Sequence, residues 1–144
     1  PEKVKGNRIL VAGGGMSGCD CALELAMEGK EVTIVEMLDD LCPNAILDNR
    51  NPLMFALEEH KVNILCGAKI EKFADSEVVI TKDGEEKTIA YDTAIYSFGT
   101  RSSSGMIDAV CEKYPTTAVV GDCVKIGQVA EAVRGGFFAA WSIH

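Results

Sequence analysis

A run of three glycines set between a strand and a helix constrains this chain more than any other feature. Arg8-Ile9-Leu10-Val11-Ala12 is apolar and β-branched, and it halts at Gly13-Gly14-Gly15. Such a run predicts a strand buried on both faces. From Ser17 to Glu28 the pattern takes a helical period. Cys19, Ala22, Leu23 and Ala26 fall on one apolar stripe, and Asp20, Glu24 and Glu28 lie on another face. Gly29 stands where a helix stops, and Glu31-Val32-Thr33-Ile34-Val35-Glu36 reads as a second strand. Strand, helix and strand in roughly 30 residues make a βαβ unit with parallel strands and a right-handed crossover.

Gly13-Gly14-Gly15-Met16-Ser17-Gly18 fits the pattern G-x-G-x-x-G. Glycine turns are common, so the pattern alone says little. Here it follows a strand, opens a helix and precedes an acidic residue, Glu36, at the end of the second strand. That context is a dinucleotide fingerprint. Gly13 permits the tight turn, Gly15 lets the backbone approach a pyrophosphate, and Gly18 lets helix and strand pack closely. Free backbone N–H groups and the positive end of the helix hold the phosphates. Glu36 is placed to accept hydrogen bonds from an adenosine ribose. A 2′-phosphate beside it would meet like charge. At ~4 Å and an effective dielectric of ~20 that costs about 4 kcal/mol, on the order of a thousandfold in affinity. Met37-Leu38-Asp39-Asp40 supplies no arginine or lysine to offset it. The expected ligand is NAD(H) rather than NADP(H).

The rest of the chain continues the pattern and then breaks it. Asn51-Pro52 predicts a helix start, with an N-cap and a first-position proline, and the helix is expected to end near His60. Val62 to Leu65 predicts a third strand. Lys69 to Phe73, Val78 to Thr81 and Lys87 to Tyr91 are short strand-like segments, with a tight-turn signal at Asp83-Gly84. An antiparallel meander is expected where a crossover helix would normally lie. Thr93 to Phe98 returns to the main sheet and stops at Gly99. A short helix at 107–111, a strand at 118–120 and a helix at 129–141 complete the reading. The expected fold class is α/β: a Rossmann-like parallel βαβ sheet with a β-meander replacing one crossover helix.

Composition removes several other functions. The 144 residues, 47% hydrophobic and 25% charged, are those of a globular protein of one domain, or one and part of another. With 22 acidic and 14 basic residues the net charge is −8, which gives no basic footprint for nucleic acid. No apolar run approaches the ~18–20 residues of a membrane span. Six cysteines contain no Cys-x-x-Cys pair, which argues against a zinc site or a disulfide framework. Reduced thiols, mostly buried as small apolar groups, and a cytoplasmic location are expected.

Val11 to Ala26, with Val32 to Met37, resembles the NAD(P)-binding domain of the two-dinucleotide-fold flavoproteins. The likeness is strongest to the C-terminal region of the NADH:flavin oxidoreductase family, which includes 2,4-dienoyl-CoA reductase, enoate reductase and trimethylamine dehydrogenase. Ser97-Phe98-Gly99-Thr100-Arg101 resembles that family's second glycine turn. Gly121-Asp122-Cys123, followed by Ala132, Gly136 and Ala140, resembles its late flavin-binding motif. The resemblance implies hydride transfer from a nicotinamide cofactor to FAD. It further implies electron passage through a 4Fe-4S cluster to FMN in an N-terminal barrel that reduces an activated alkene.

By the same resemblance Gly13, Gly14, Gly15, Met16, Ser17, Gly18, Glu36 and Met37 are candidates to hold NAD(H). Gly99 would let the backbone lie close to the cofactor, and Gly121 and Asp122 would meet the ribityl–pyrophosphate region of FAD. Asp20 stands where the family usually has glutamate; it either reaches the nicotinamide end or belongs to the solvated stripe. Arg101 either meets a phosphate or carboxamide or forms a surface salt bridge. Residues 1–118 then read as an NAD(H)-binding domain, and 119–144 as the terminal strand and helix of an FAD domain. The remaining FAD domain, the barrel and the iron–sulfur cysteines are expected in a longer parent, and the fragment alone is expected to do no redox chemistry. Helix 129–141 would leave an apolar patch that favours a homodimer.

Rival readings are a free-standing dinucleotide or sensor module and a small methyltransferase. The turn spacing and the meander count against the latter. Ser102-Ser103-Ser104-Gly105 lacks the G-x-S-x-G elbow of a hydrolase and reads as a turn or cap. His60 reads as a helix-end residue, His144 as uninformative, Cys42 as a loop thiol rather than an iron–sulfur ligand, and Cys123 as packing rather than a residue near a flavin. No catalytic residue and no metal ligand is assigned.

Overall fold

A computed structural model describes residues 4–103 and 105–143. Ser104 and His144 therefore lie outside the described residues. The chain divides into two compact units, Pro1–Gly99 and Thr100–His144.

The first unit is built on a four-stranded parallel sheet. Its strands are β1 (Arg8–Ala12), β2 (Glu31–Val35), β3 (Asn63–Leu65) and β7 (Thr93–Tyr96), in the order β3-β2-β1-β7. The helix α1 (Met16–Met27) joins β1 to β2, and α2 (Leu47–Glu59) joins β2 to β3. Cys19, Ala22, Leu25 and Ala26 of α1 pack with Leu53 and Leu57 of α2 on Ile9, Val11, Val32 and Ile34 of the sheet, whereas Leu23, expected on the stripe, is only partly buried. On the opposite face lie Leu10 and Val35, covered by Ala68, Val78, Ile80 and Tyr91. That cover comes from the meander β4 (Ala68–Phe73), β5 (Glu77–Lys82) and β6 (Glu85–Ala90), paired antiparallel, and from Tyr91 just after it. Asp83 and Gly84 make its turn with positive φ, 55° and 79°. The α/β class and the meander are as the sequence predicts.

Most element ends shift by one or two residues, and α2, β7 and 118–120 depart from expectation for physical reasons. Helix α2 begins at Leu47 and carries Pro52 inside it, rather than starting at Asn51-Pro52. Proline removes the N–H that would meet the Asp48 carbonyl, and both residues are exposed, so that carbonyl is open to solvent. The added turn is closed by Asn49 and Arg50 N–H on Ile46 O and fastened by Arg50 Nε on Leu41 O at 2.9 Å. Strand β7 ends at Tyr96 because β1 ends at Ala12; Ser97 N–H on Ala12 O is the last rung. In the second unit, 118–120 is not a strand among the described residues. Among the described residues no strand pairs with it to supply the ladder it would need.

That second unit comprises α3 (Gly105–Lys113), a single 3₁₀ turn at Gly121–Cys123 and α4 (Val129–Trp141). Gln128 and Glu131 form a capping box at the start of α4, with Gln128 N–H on Glu131 Oε2 at 2.9 Å. Helix and turn approach through small residues: a side chain at Gly135 would lie 3.7 Å from Gly121 N. Gly135 therefore makes this contact, whereas Gly136 of the expected motif faces open space.

Candidate functional site

Strand β1 delivers the glycine turn to the end of the sheet where parallel strands leave their carboxyl ends, between β2 and β7. Gly13 has φ +111°, and an added Cβ would stand 2.2 Å from Ser97 O. At Gly18 an added Cβ would stand 2.1 Å from Gly13 O, so these two positions are closed to any side chain. Gly15 is the opposite case: it is exposed, caps α1 at φ −71°, and has nothing within 4 Å of where a Cβ would be. No side chain caps α1, so its first N–H groups, at Met16, Ser17 and Gly18, are free to meet an anion.

Glu36 follows β2 directly and is fastened twice. Its Oε2 accepts the Gly14 N–H at 2.6 Å, and its Oε1 accepts the Leu38 N–H at 2.8 Å. A carboxylate offers about four lone-pair positions, so two acceptor sites remain for ribose hydroxyls. The sequence places a carboxylate at this strand end; its direct bond to the middle glycine comes from the structure. Met37 is exposed beside it. Gly99, at φ +78°, follows β7 with open space above it. Asp20 is exposed on α1 together with Glu24.

Beneath the turn the loop 36–46 carries two buried residues, Leu41 and Cys42. Leu41 fills the space beside Gly14, where an added Cβ would meet its Cδ2 at 2.3 Å. Cys42 N–H donates to Gly14 O at 2.9 Å, and its Sγ lies 3.6 Å from Cys19 Sγ. Burial pushes both thiols up, Cys19 most strongly, with Cys42 beside it adding to the effect. Sequence reasoning treats Cys42 as a loop thiol; no local signal links it to Cys19, 23 residues away. Lys82 of β5 donates to Cys66 O in the β3–β4 connection, and a Cβ added at Gly67 there would lie 3.4 Å from Asp39 Oδ1.

In the second unit Asp122 is exposed, and its Oδ1 accepts the Gly127 N–H at 3.2 Å. Gly121 takes φ +65°, and Arg101 is exposed. Among the described residues no group of three or more His, Cys, Asp or Glu side chains could hold a metal ion. No helix among them is long and apolar enough to cross a membrane.

The family model of the pyridine nucleotide-disulphide oxidoreductases matches residues 1–136. The chain belongs to that family. Cinnamate reductase of Clostridium sporogenes is 30% identical over 145 residues, covering 99% of this chain and 22% of that protein. NADH oxidase of Thermoanaerobacter brockii is 28% identical over 141 residues, 96% of this chain and 22% of that one. The solved 2-naphthoyl-CoA reductase superposes with a TM-score of 0.83 at 24% identity, over 98% of this chain and 22% of that chain. Histamine dehydrogenase from Rhizobium sp. 4-9 gives 0.79 at 17% identity, over 100% and 23%. These two likenesses show the fold. The family model and the cinnamate reductase bear out the resemblance to two-dinucleotide-domain flavoproteins of the enoate reductase kind. The chain spans 22% of the length of the cinnamate reductase and of the NADH oxidase.

Proposed function

We propose that this chain is the NAD(H)-binding domain of an NADH-dependent FAD/FMN oxidoreductase of the enoate or dienoyl-CoA reductase kind. The observation that carries the reading is the pairing of an open Gly15 at an uncapped helix start with Glu36 fastened to the adjacent Gly14 N–H. The N–H groups of Gly15 to Gly18 would hold the pyrophosphate. Glu36 would take the adenosine ribose, Met37 would border it, and Gly99 would leave room for the backbone to lie against the cofactor. NADH, when bound, would supply a hydride, and FAD held by a longer parent would accept it. Asp122, oriented by Gly127 N–H, and Gly121 would face that FAD. FMN and the 4Fe-4S cluster belong, by resemblance, to segments beyond these residues, as does the barrel that takes substrate.

A cytoplasmic location accords with the six free thiols. Residues 1–118 form the NAD(H) part of this proposal and 119–144 the FAD part. The test is a parallel titration with NADH and NADPH of the wild-type chain and of Glu36→Gln. Wild type should prefer NADH by tenfold or more, and the variant should narrow that gap, since the like-charge penalty on a 2′-phosphate is gone. NADPH binding as tight as NADH in wild type contradicts the assignment. Bound, reducible FAD in the purified chain contradicts the expectation that it does no redox chemistry alone.

A further inference from the structure

The peptide between Gly14 and Gly15 joins two residues without side chains, so its own sterics do little to fix which way it faces. Its neighbours do. The Gly14 carbonyl is approached by the Cys42 N–H at 2.9 Å, by Cys42 Sγ at 3.4 Å and by Cys19 Sγ at 3.5 Å. The two thiols come from different elements, α1 and the loop after β2, and converge on one oxygen. Cys42 holds φ 49°, the left-handed region that a residue with a side chain seldom adopts. In that conformation its N–H and its thiol both reach Gly14 O. Because burial raises both thiols, each keeps its proton at neutral pH and remains a donor.

A trans peptide points its N–H opposite to its C=O. With the Gly14 carbonyl held inward, the Gly15 N–H is turned outward, and Gly15 is exposed with open space above it. We propose that Cys19 and Cys42 are positioning residues of the glycine turn. Their thiols fix the Gly14–Gly15 peptide so that the Gly15 N–H faces the cofactor phosphate. The inference rests on the NAD(H) reading of that turn for its ligand, though the peptide orientation can be measured without one.

The experiment compares the wild-type chain with Cys19→Ala/Cys42→Ala, which removes both S–H donors, and with Cys19→Ser/Cys42→Ser, which restores a hydroxyl donor at each place. Three quantities are read for each: NADH affinity, thermal midpoint, and the Gly15 amide resonance of the ligand-free chain. The alanine pair should weaken NADH about tenfold, the scale of one hydrogen bond, and should shift or broaden the Gly15 resonance. The serine pair should bind within about threefold of wild type even though its thermal midpoint falls, because the donors are present. Wild-type affinity in the alanine pair overturns the proposal. So does equal loss of affinity in both pairs in step with the midpoint, which is the signature of packing alone. If the wild-type chain binds no NADH, the ligand assignment falls and the resonance decides. A Gly15 amide unchanged in the alanine pair then overturns the positioning role, and one disturbed there but restored by serine supports it. Should the alanine pair fail to fold, Cys19→Ala alone is read by the same criteria, since helix α1 accommodates alanine.

Discussion

Two glycines in the same turn are needed for opposite physical reasons, and substituting each should separate folding from binding. An alanine at Gly13 would put its methyl 2.2 Å from a backbone oxygen at φ +111°. Strain and overpacking together should cost about 2 kcal/mol or more, read as a lowered denaturation midpoint. An alanine at Gly15 meets nothing and keeps φ −71°, so stability should stay within about 0.5 kcal/mol. Its methyl would nonetheless stand on the face a pyrophosphate approaches, and NADH affinity should fall at least tenfold. Sequence spacing points to both positions, because each of the three fingerprint glycines answers a local backbone need. It cannot show that Gly14 is the partner of Glu36 and of Cys42. Those contacts join residues 22 and 28 positions apart and leave no periodic trace.

At the scale of elements, helices and strands with strong patterns are read correctly, and boundaries fail where tertiary ties override local signals. Helix α4 spans 129–141 as expected because its apolar period and capping box agree. Helix α2 starts earlier than Asn51-Pro52 suggests because Arg50 is tied to Leu41 O and, at 2.5 Å, to Asp40. Replacing Pro52 by alanine restores the N–H for Asp48 O. It should raise stability by about 1–2 kcal/mol, the helix gain less the loosening of the unfolded chain. The first unit is also fastened at the opposite end of its sheet. Asp92 Oδ1 pairs with Arg8 at 2.7 Å, and Oδ2 accepts the N–H groups of Asn7 and Arg8 at 2.8 and 2.9 Å. The Arg8 side-chain bond, then those backbone bonds, hold the Asp92 carboxyl far below the usual carboxylate range. A carboxyl lowered on folding stabilises fully above its unfolded pKa of ~3.9 and loses that contribution as pH falls below it. The melting temperature should therefore decline below about pH 4, and Asp92→Asn should flatten that decline while lowering stability at neutral pH.

Across the whole chain, the glycine fingerprint, the meander and the three separated motifs make the family legible in the order of residues alone. The second unit is harder to read, because little within it is buried to fix its elements. None of its described residues is buried, and Val129, Val133, Phe137, Phe138 and Trp141 of α4 are exposed. A patch of that kind on an isolated chain favours self-association. Light scattering should show a concentration-dependent dimer, which Phe137→Ser/Trp141→Ser returns to monomer. A wild-type monomer at high concentration contradicts this. The first unit has its own core, so loss of the dimer should leave its melting transition in place. The most direct test of the central claim is an amide-resolved titration of the 144-residue chain with NADH. Saturable shifts confined to Gly13 through Gly18 and to Glu36 through Leu38 are the predicted result. The absence of saturable binding, or shifts centred away from the glycine turn, contradicts it.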